Sequence, residues 1–403
     1  MSQGLQISER GVEMPASPIR KLAPLAYAAE DRGVLIYKLN IGQPDLPTPQ
    51  KALDALKHID RKTLEYSPSQ GYRSFRQALV NYYDRYQIKL TADEIIITSG
   101  GSEAVLFAFL SCLNPGDEII VPEPAYANYM SFAVSAGAVI RTVATTIEEG
   151  FCLPKVEKFE ELINERTKAI LICNPNNPTG YLYSAEEMET LRQIVLKYDL
   201  YLITDEVYRE FCYDGMHHSS AMHLKGVDDN VILIDSESKR YSACGIRVGR
   251  LITKNKEVIA TAMKFAQARL SPPSYGQVAA EAALDTPPSY FKAVVKEYEA
   301  RRNVCVEGIN KIPGAFCPTP KGAFYIVAHL PIDDSERFCK WLLTDFNYEG
   351  KTVMLAPASG FYSTIGLGRH EVRISYCLNC DDLRDAMFIL GKALDVYPGK
   401  AMN

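Results

Sequence analysis

A lysine preceded by two serines and followed by an arginine marks Ser236-Glu237-Ser238-Lys239-Arg240-Tyr241-Ser242-Ala243-Cys244-Gly245-Ile246-Arg247-Val248-Gly249. The apolar run before it, Val231-Ile232-Leu233-Ile234, is long enough for a buried strand. Ser236, Ser238 and Lys239 are therefore expected where a strand gives way to a loop. A lysine amine can form a Schiff base with an aldehyde cofactor, and serine and arginine donors suit a phosphate anion. A polar loop carrying a surface lysine would read the same in isolation. The rest of the chain separates the two readings.

Upstream, other chemically capable residues each follow an apolar run. Glu94-Ile95-Ile96-Ile97-Thr98 reads as a strand, and Ser99-Gly100-Gly101-Ser102-Glu103-Ala104 opens a helix to about Cys112. A Gly-Gly pair there lets backbone amides approach an anion in the positive field of a helix N-terminus, although many strand-to-helix turns contain one. Glu118-Ile119-Ile120-Val121 is the next strand, and Pro122-Glu123-Pro124-Ala125 leads to Tyr126 at its carboxyl end, a position that also suits a core or rim tyrosine. Ala169 to Cys173 precedes Asn174-Pro175-Asn176-Asn177-Pro178-Thr179-Gly180, whose prolines and asparagines make a rigid loop able to hold a side-chain amide at a fixed angle. The strand from Tyr201 ends at Asp205, and Tyr208 follows three positions later. This alternation is the doubly wound α/β pattern, in which ligands bind where the carboxyl ends of the strands open into a crevice.

Outside that region, the first dozen residues are polar and are expected to be disordered. A helix is expected from Ser17 to about Glu30, with Pro24 as an interruption, then a turn at Gly42 within Leu39–Asp45. Leu64 to Gly71 reads as a loop carrying Tyr66, followed by a helix from about Tyr72 to Tyr86. Beyond Arg247 come a strand to Thr253, a helix to about Ala268, a break at Ser271-Pro272-Pro273 and a further helix. A long charged helix, about Ser289 to Lys311, leads to a strand over Gly322–Val327 and a last one, Glu371–Tyr376, of alternating character. Arg373 inside that strand must face a partner, since unpaired burial is costly; a structural salt bridge is the plain account.

The bulk properties narrow the class. A chain of 403 residues can bury a large core and form two domains. Its net charge of −5 and lack of a dense basic run argue against a nucleic-acid surface. No apolar stretch suits a membrane span, and the N-terminus has no signal-peptide core, so a cytoplasmic location is expected. The ten cysteines are scattered, as reduced thiols are; Cys377 and Cys380 form a lone C-x-x-C, and no metal is expected.

In order and approximate spacing, the marked residues resemble the class I/II aminotransferases, pyridoxal-5′-phosphate (PLP) enzymes of fold type I, over essentially the whole chain after about residue 17. Within that family the pattern is most similar to the amino-acid aminotransferases of the aspartate aminotransferase superfamily. One departure is Glu237, where the family usually has a small or apolar residue between the two serines. The resemblance implies an α/β fold with a mostly parallel doubly wound sheet in a large domain, plus a smaller α+β domain. It divides the chain into 1–44 (N-terminal segment and part of the small domain), 45–290 (large PLP-binding domain) and 291–403 (small domain), and implies a homodimer with shared active sites. It makes Lys239, Asp205 and Tyr208 catalytic: Lys239 through the Schiff base, Asp205 by keeping the pyridine nitrogen protonated, Tyr208 by bonding the phenolic oxygen. Gly100, Gly101, Ser102, Ser236, Ser238 and Arg247 would hold the phosphate, with Tyr66 reaching in from the other subunit; Tyr126 would stack on the ring. Asn177 would touch cofactor and substrate, while Gly42 and Arg373 would meet the substrate carboxylate, which a guanidinium fork suits better than an ammonium.

The implied reaction is ping-pong transfer of an amino group to a 2-oxo acid such as 2-oxoglutarate. Aspartate is the first guess at the donor, with alanine or an aromatic amino acid behind it. One aspartate-specific branch has a lysine after the Gly-Gly pair to meet the distal carboxylate; here that residue is Ser102, leaving Arg20 or Arg269 as candidate distal cations. A PLP-dependent β-C–S lyase is the competing reading on the same apparatus. A non-catalytic PLP-fold regulator is another, but regulators of that kind carry a DNA-binding domain, for which no room is expected before residue 17.

Overall fold

The apolar runs become strands whose flanking polar residues gather at one sheet edge. In a computed structural model, described over residues 5–60, 62–63 and 65–400, seven strands form the main sheet in the order β2-β8-β7-β6-β5-β3-β4. In chain order, β1 is Leu35–Lys38, β2 Ile95–Thr98, β3 Glu118–Glu123, β4 Val139–Ala144, β5 Thr167–Cys173 and β6 Tyr201–Asp205. They are followed by β7 (Val231–Ser236), β8 (Gly249–Ile252), β9 (Tyr325–His329), β10 (Lys351–Met354), β11 (Ala356–Pro357) and β12 (Glu371–Ser375). Strands β2, β3, β7 and β8 are buried at every residue, as continuous apolar strands are when helices cover both faces.

Strands β3 to β7 run parallel along the sheet, so their carboxyl ends share one edge. Strand β8 runs antiparallel to both β2 and β7, pairing Gly249 with Thr98 and with Ser236. Its amino end therefore lies where theirs finish, which brings Arg247 to the same edge as Ser236 and Gly100. The chain ends are joined elsewhere: β1 pairs in parallel with β10, and β11, β12 and β9 form a third, antiparallel sheet. The long helix Pro288–Asn310 packs on the last helix, Cys380–Val396.

Several local expectations are corrected. The first helix of the expected 17–30 span begins at Ala23, with Pro24 in its first turn, where a missing N–H costs nothing. Before it, Ser8 caps a short helix over Glu9–Glu13 in a stretch expected to be disordered. Lys239 lies on a helical turn, Glu237–Arg240, rather than a loop, because β7 runs on to Ser236 and the Ser236 hydroxyl caps the turn by accepting from the Ser238 N–H. Strand β9 starts three residues later than expected: Ala323 has φ +53°, which interrupts the extended run. Strand β12 does not alternate, since Val372 to Ser375 are all buried.

Candidate active site

The Lys239 amine donates to the Gly42 carbonyl at 2.9 Å and lies 3.9 Å from the Cys244 sulfur. Any side chain at residue 42 would overlap the Tyr325 hydroxyl, so the glycine of that turn is what lets the main chain come so close. The Tyr325 hydroxyl sits 2.9 Å from that of Tyr208, and Tyr208 accepts from the Asn177 amide at 3.3 Å. Arg373 donates to Asn177 Oδ1 at 2.9 Å and to the Asn40 carbonyl at 2.6 Å. A continuous run of contacts thus links the lysine amine to the arginine guanidinium.

Arg373 is 1% exposed, yet no carboxylate among the described residues lies within 4.0 Å of it. Every other buried arginine among the described residues has one: Arg76, Arg209, Arg240, Arg250, Arg301 and Arg302 all pair with an acid. The Arg373 guanidinium lies against the rings of Tyr325 and Phe361, at 4.5 and 4.7 Å, and its Nε has no hydrogen-bond partner. Burial lowers its pKa. An unpaired buried cation with an orphaned donor is costly, and an incoming carboxylate would satisfy both. The salt bridge expected from the sequence is absent among the described residues.

Asp205 ends β6, where Tyr129 donates to one carboxylate oxygen at 2.8 Å and the Val207 N–H to the other at 3.3 Å. Burial outweighs these bonds and pushes its pKa up to about 6. Beside β7, the Ser236 hydroxyl bonds Ser238 Oγ at 2.8 Å and the Val248 carbonyl at 2.9 Å. Arg247 reaches the Cys244 carbonyl and, at 3.5 Å, the Ser99 carbonyl. Gly100 has φ +78°, and a Cβ there would run into that guanidinium. Gly101 and Ser102 follow in the first turn of the helix Gly101–Cys112. Hydroxyls, a guanidinium and helix N-terminal amides therefore converge on one place, a donor set for a phosphate-sized anion. Tyr126, past the end of β3, meets Tyr129 edge-on at 5.4 Å and accepts from Asn128 at 2.9 Å.

Two candidates fall outside this gathering. Tyr66 is 76% exposed. Arg269 is held by Glu103 at 2.7 Å and by the carbonyls of Ser69 and Ile97, so it is not free to serve as a distal cation. Three residues in the site had no signal: Tyr325, Tyr129 and Asn40. Tyr129 and Asn40 lie close in sequence to Tyr126 and Gly42. Tyr325 had only its place in an apolar strand.

The family described as Aminotransferase class I and II matches residues 36–387. The chain is 33% identical over 395 residues to an aspartate aminotransferase of Pyrococcus horikoshii, covering 96% of this chain and 97% of that one. It is 30% identical to an aspartate/prephenate aminotransferase of Thermus thermophilus, covering 96% and 99%. Among solved structures, an aspartate aminotransferase from Thermotoga maritima superposes with a TM-score of 0.88 at 30% identity, covering 96% of this chain and 100% of that one. An alanine aminotransferase from Pyrococcus furiosus does so with a TM-score of 0.88 at 31% identity, covering 96% and 99%.

Proposed function

The chain belongs to the class I and II aminotransferases and has the fold type I architecture of that family, and from that premise we propose that it moves the α-amino group of aspartate to a 2-oxo acid such as 2-oxoglutarate, with PLP held at Lys239. The observation that carries the reading is Arg373, buried without an acid partner and joined through Asn177 and Tyr208 to the neighbourhood of the lysine.

The donor set fits PLP group by group. Ser236, Ser238, Arg247 and the amides of Gly101 and Ser102 would hold its phosphate, Lys239 its aldehyde carbon and Tyr208 its phenolic oxygen. Asp205 would hold the ring nitrogen and Tyr126 would cover the ring face. When bound, PLP supplies a sink for the electron pair left at the substrate α-carbon. The residues do the rest. Arg373, with Asn177, orients the α-carboxylate through a bidentate fork, and the Gly42 backbone leaves room beside it. Lys239 takes the proton from the substrate α-carbon, and in the second half-reaction delivers one to the α-carbon of the oxo acid. Asp205, whose pKa burial raises to about 6, is ionised at neutral pH and would keep a proton on the ring nitrogen of bound PLP. Tyr208 stays a neutral phenol, because burial raises its pKa.

The exposed Tyr66 supports a homodimer in which it would reach the phosphate of the partner's site. The pairing of β1 with β10 supports a small domain built from residues 1–44 and 291–403 beside a large domain of 45–290. A cytoplasmic location belongs to the same reading; no helix among the described residues is long and apolar enough to cross a membrane.

The test is to add single amino acids to the PLP-loaded protein, without any oxo acid, and follow the cofactor absorbance. Stoichiometric conversion to the amine form of the cofactor, reversed by 2-oxoglutarate, is expected, with aspartate acting at the lowest concentration. Accumulation of pyruvate and ammonia without such conversion would mean a β-eliminating lyase instead. Lys239→Ala should abolish transfer, and near-normal turnover in that variant would sink the assignment.

A further inference from the structure

The hydrogen-bond run from Arg373 through Asn177 and Tyr208 ends at the Tyr325 hydroxyl. A guanidinium can only donate, so the bond from Arg373 to Asn177 Oδ1 at 2.9 Å turns the amide nitrogen toward Tyr208. Tyr208 therefore accepts from Asn177, at 3.3 Å, with one of its two lone pairs. Its other contact is the Tyr325 hydroxyl, at 2.9 Å, where the geometry alone permits either phenol to donate. Tyr325 is 2% exposed, and its hydroxyl has no other hydrogen-bond partner among the described residues. If Tyr208 gave its proton to Tyr325, the Tyr325 proton would be buried without an acceptor, which is costly. If Tyr325 donates instead, both lone pairs of Tyr208 are filled and its own proton points into the site.

Packing holds the two phenols in that relation. The Tyr208 ring stands edge-on to Phe324 and Tyr325, with ring centres 5.2 and 5.6 Å away. The Tyr325 ring lies 4.5 Å from the Arg373 guanidinium, and its hydroxyl fills the space that a side chain at Gly42 would need. The titratable and charged groups around the pair are Arg373, Tyr126 and Cys377 about Tyr325, and Asp205 and Cys173 about Tyr208. We propose that Tyr325 is a positioning residue for the transfer reaction: it donates to Tyr208 and so commits the Tyr208 proton to the phenolic oxygen of bound PLP. This rests on the aminotransferase reading, in which Tyr208 meets that oxygen. A phenol that accepts two hydrogen bonds is itself a stronger donor. Its donation draws negative charge off the phenolic oxygen, which lowers the pH at which the Lys239 nitrogen joined to the cofactor gives up its proton.

The experiment is a spectrophotometric pH titration of the PLP-loaded wild type, Tyr325→Phe, Tyr208→Phe and the double variant. The absorbance of bound PLP changes as the Lys239 nitrogen titrates, so the midpoint reads the effect without turnover. Tyr325→Phe keeps the ring against Arg373 and removes only the hydroxyl. It should raise the midpoint by about half a unit to one unit, the worth of a single hydrogen bond. Tyr208→Phe should raise it at least as far, and adding Tyr325→Phe to that variant should move it no further, because the effect runs through Tyr208. The melting temperature of cofactor-free Tyr325→Phe should stay within a few degrees of the wild type. An unchanged midpoint in Tyr325→Phe, or the same shift with and without the Tyr208 hydroxyl, would overturn the proposal. A large fall in melting temperature would make Tyr325 a structural residue and overturn it as well. A wild type that takes up no PLP at Lys239 would overturn the function itself, an outcome distinct from a normal wild-type titration that Tyr325→Phe leaves unmoved.

Discussion

Arg373 is held in the fold at a cost. Its guanidinium is buried among two aromatic rings, a side-chain amide and a backbone carbonyl, all of them neutral, and one of its donors has no partner. Replacing an uncompensated buried charge by an apolar side chain of similar length generally stabilises a protein. Arg373→Met should therefore raise the urea stability of the cofactor-free protein by about 1–3 kcal/mol while removing amino-acid binding. A destabilised variant would mean that Arg373 is a structural residue whose neutral contacts matter more than its charge. Asn177 serves both ends of the run from Arg373 to Tyr208, its oxygen accepting from the guanidinium and its nitrogen donating to the phenol. That double use needs a fixed amide plane, which suits the rigid Asn-Pro-rich loop.

At the scale of an element, the turn bearing Lys239 rests on a buried ionic cluster. Arg240 pairs with Asp235, and Arg250 pairs with both Glu237 and Asp235. Tyr83 donates to Asp235 and accepts from Arg250 at 2.8 Å. Burial pushes the Asp235 carboxyl up, but the two arginines outweigh it and hold it well below the usual carboxylate range. Glu237, the departure from the family's small or apolar residue, is thus matched by a guanidinium on the neighbouring strand β8. Asp235 pairs across the strands with Arg250 one position before Ser236 pairs with Gly249, so the ion pairs adjoin the anion cradle. Glu237→Ala removes one member and leaves buried positive charge in excess. The expected cost is about 3–5 kcal/mol of stability, read from urea unfolding of the cofactor-free protein, together with weaker PLP retention. A variant as stable as the wild type would show that Arg250 is satisfied by Asp235 alone.

Across the whole molecule, acid groups buried behind the sheet edge tie stability to pH. Burial pushes Glu206 up to about 7 from 4.5 and Asp205 up to about 6 from 3.8. One Glu206 oxygen accepts from Ser220, at 2.9 Å, and from the Ala221 N–H, at 3.0 Å. The other has no hydrogen-bond partner and faces His218 Nε2 at 3.5 Å. A carboxyl whose folded pKa is raised favours folding below its unfolded value, and that contribution is lost as pH rises through the folded value. For Glu206 the window runs from about 4.5 to 7. His218 works in the opposite direction, because burial lowers its pKa and the unfolded chain takes up the proton near 6.5. The comparison of variants isolates the acid. Wild-type cofactor-free protein should lose stability relative to Glu206→Gln between pH 5 and pH 8, measured by urea unfolding at both. Parallel pH profiles for the two proteins would show that Glu206 titrates normally.

The amino-acid sequence by itself determined which segments become strands, and that chemically capable residues stand just past the ends of strands. Apolar runs such as Ile95–Ile97 and Val231–Ile234 are local signals, and Asp205, Asn177 and Tyr126 follow such runs directly. Periodicity carries that much because strand and helix burial repeat over a few residues. What only the tertiary structure decided are encounters between residues far apart in the chain. Arg247 reaches the cradle because β8 runs against its neighbours, a choice of direction that no local pattern encodes. Tyr325 enters the site because Gly42 leaves room for its hydroxyl, and Arg373 proves to have no acid partner among the described residues only once the acids have been placed in the fold. Glu237 reads as an anomaly in the sequence and as one member of a neutralised cluster in the fold, since its compensating charge arrives on another strand.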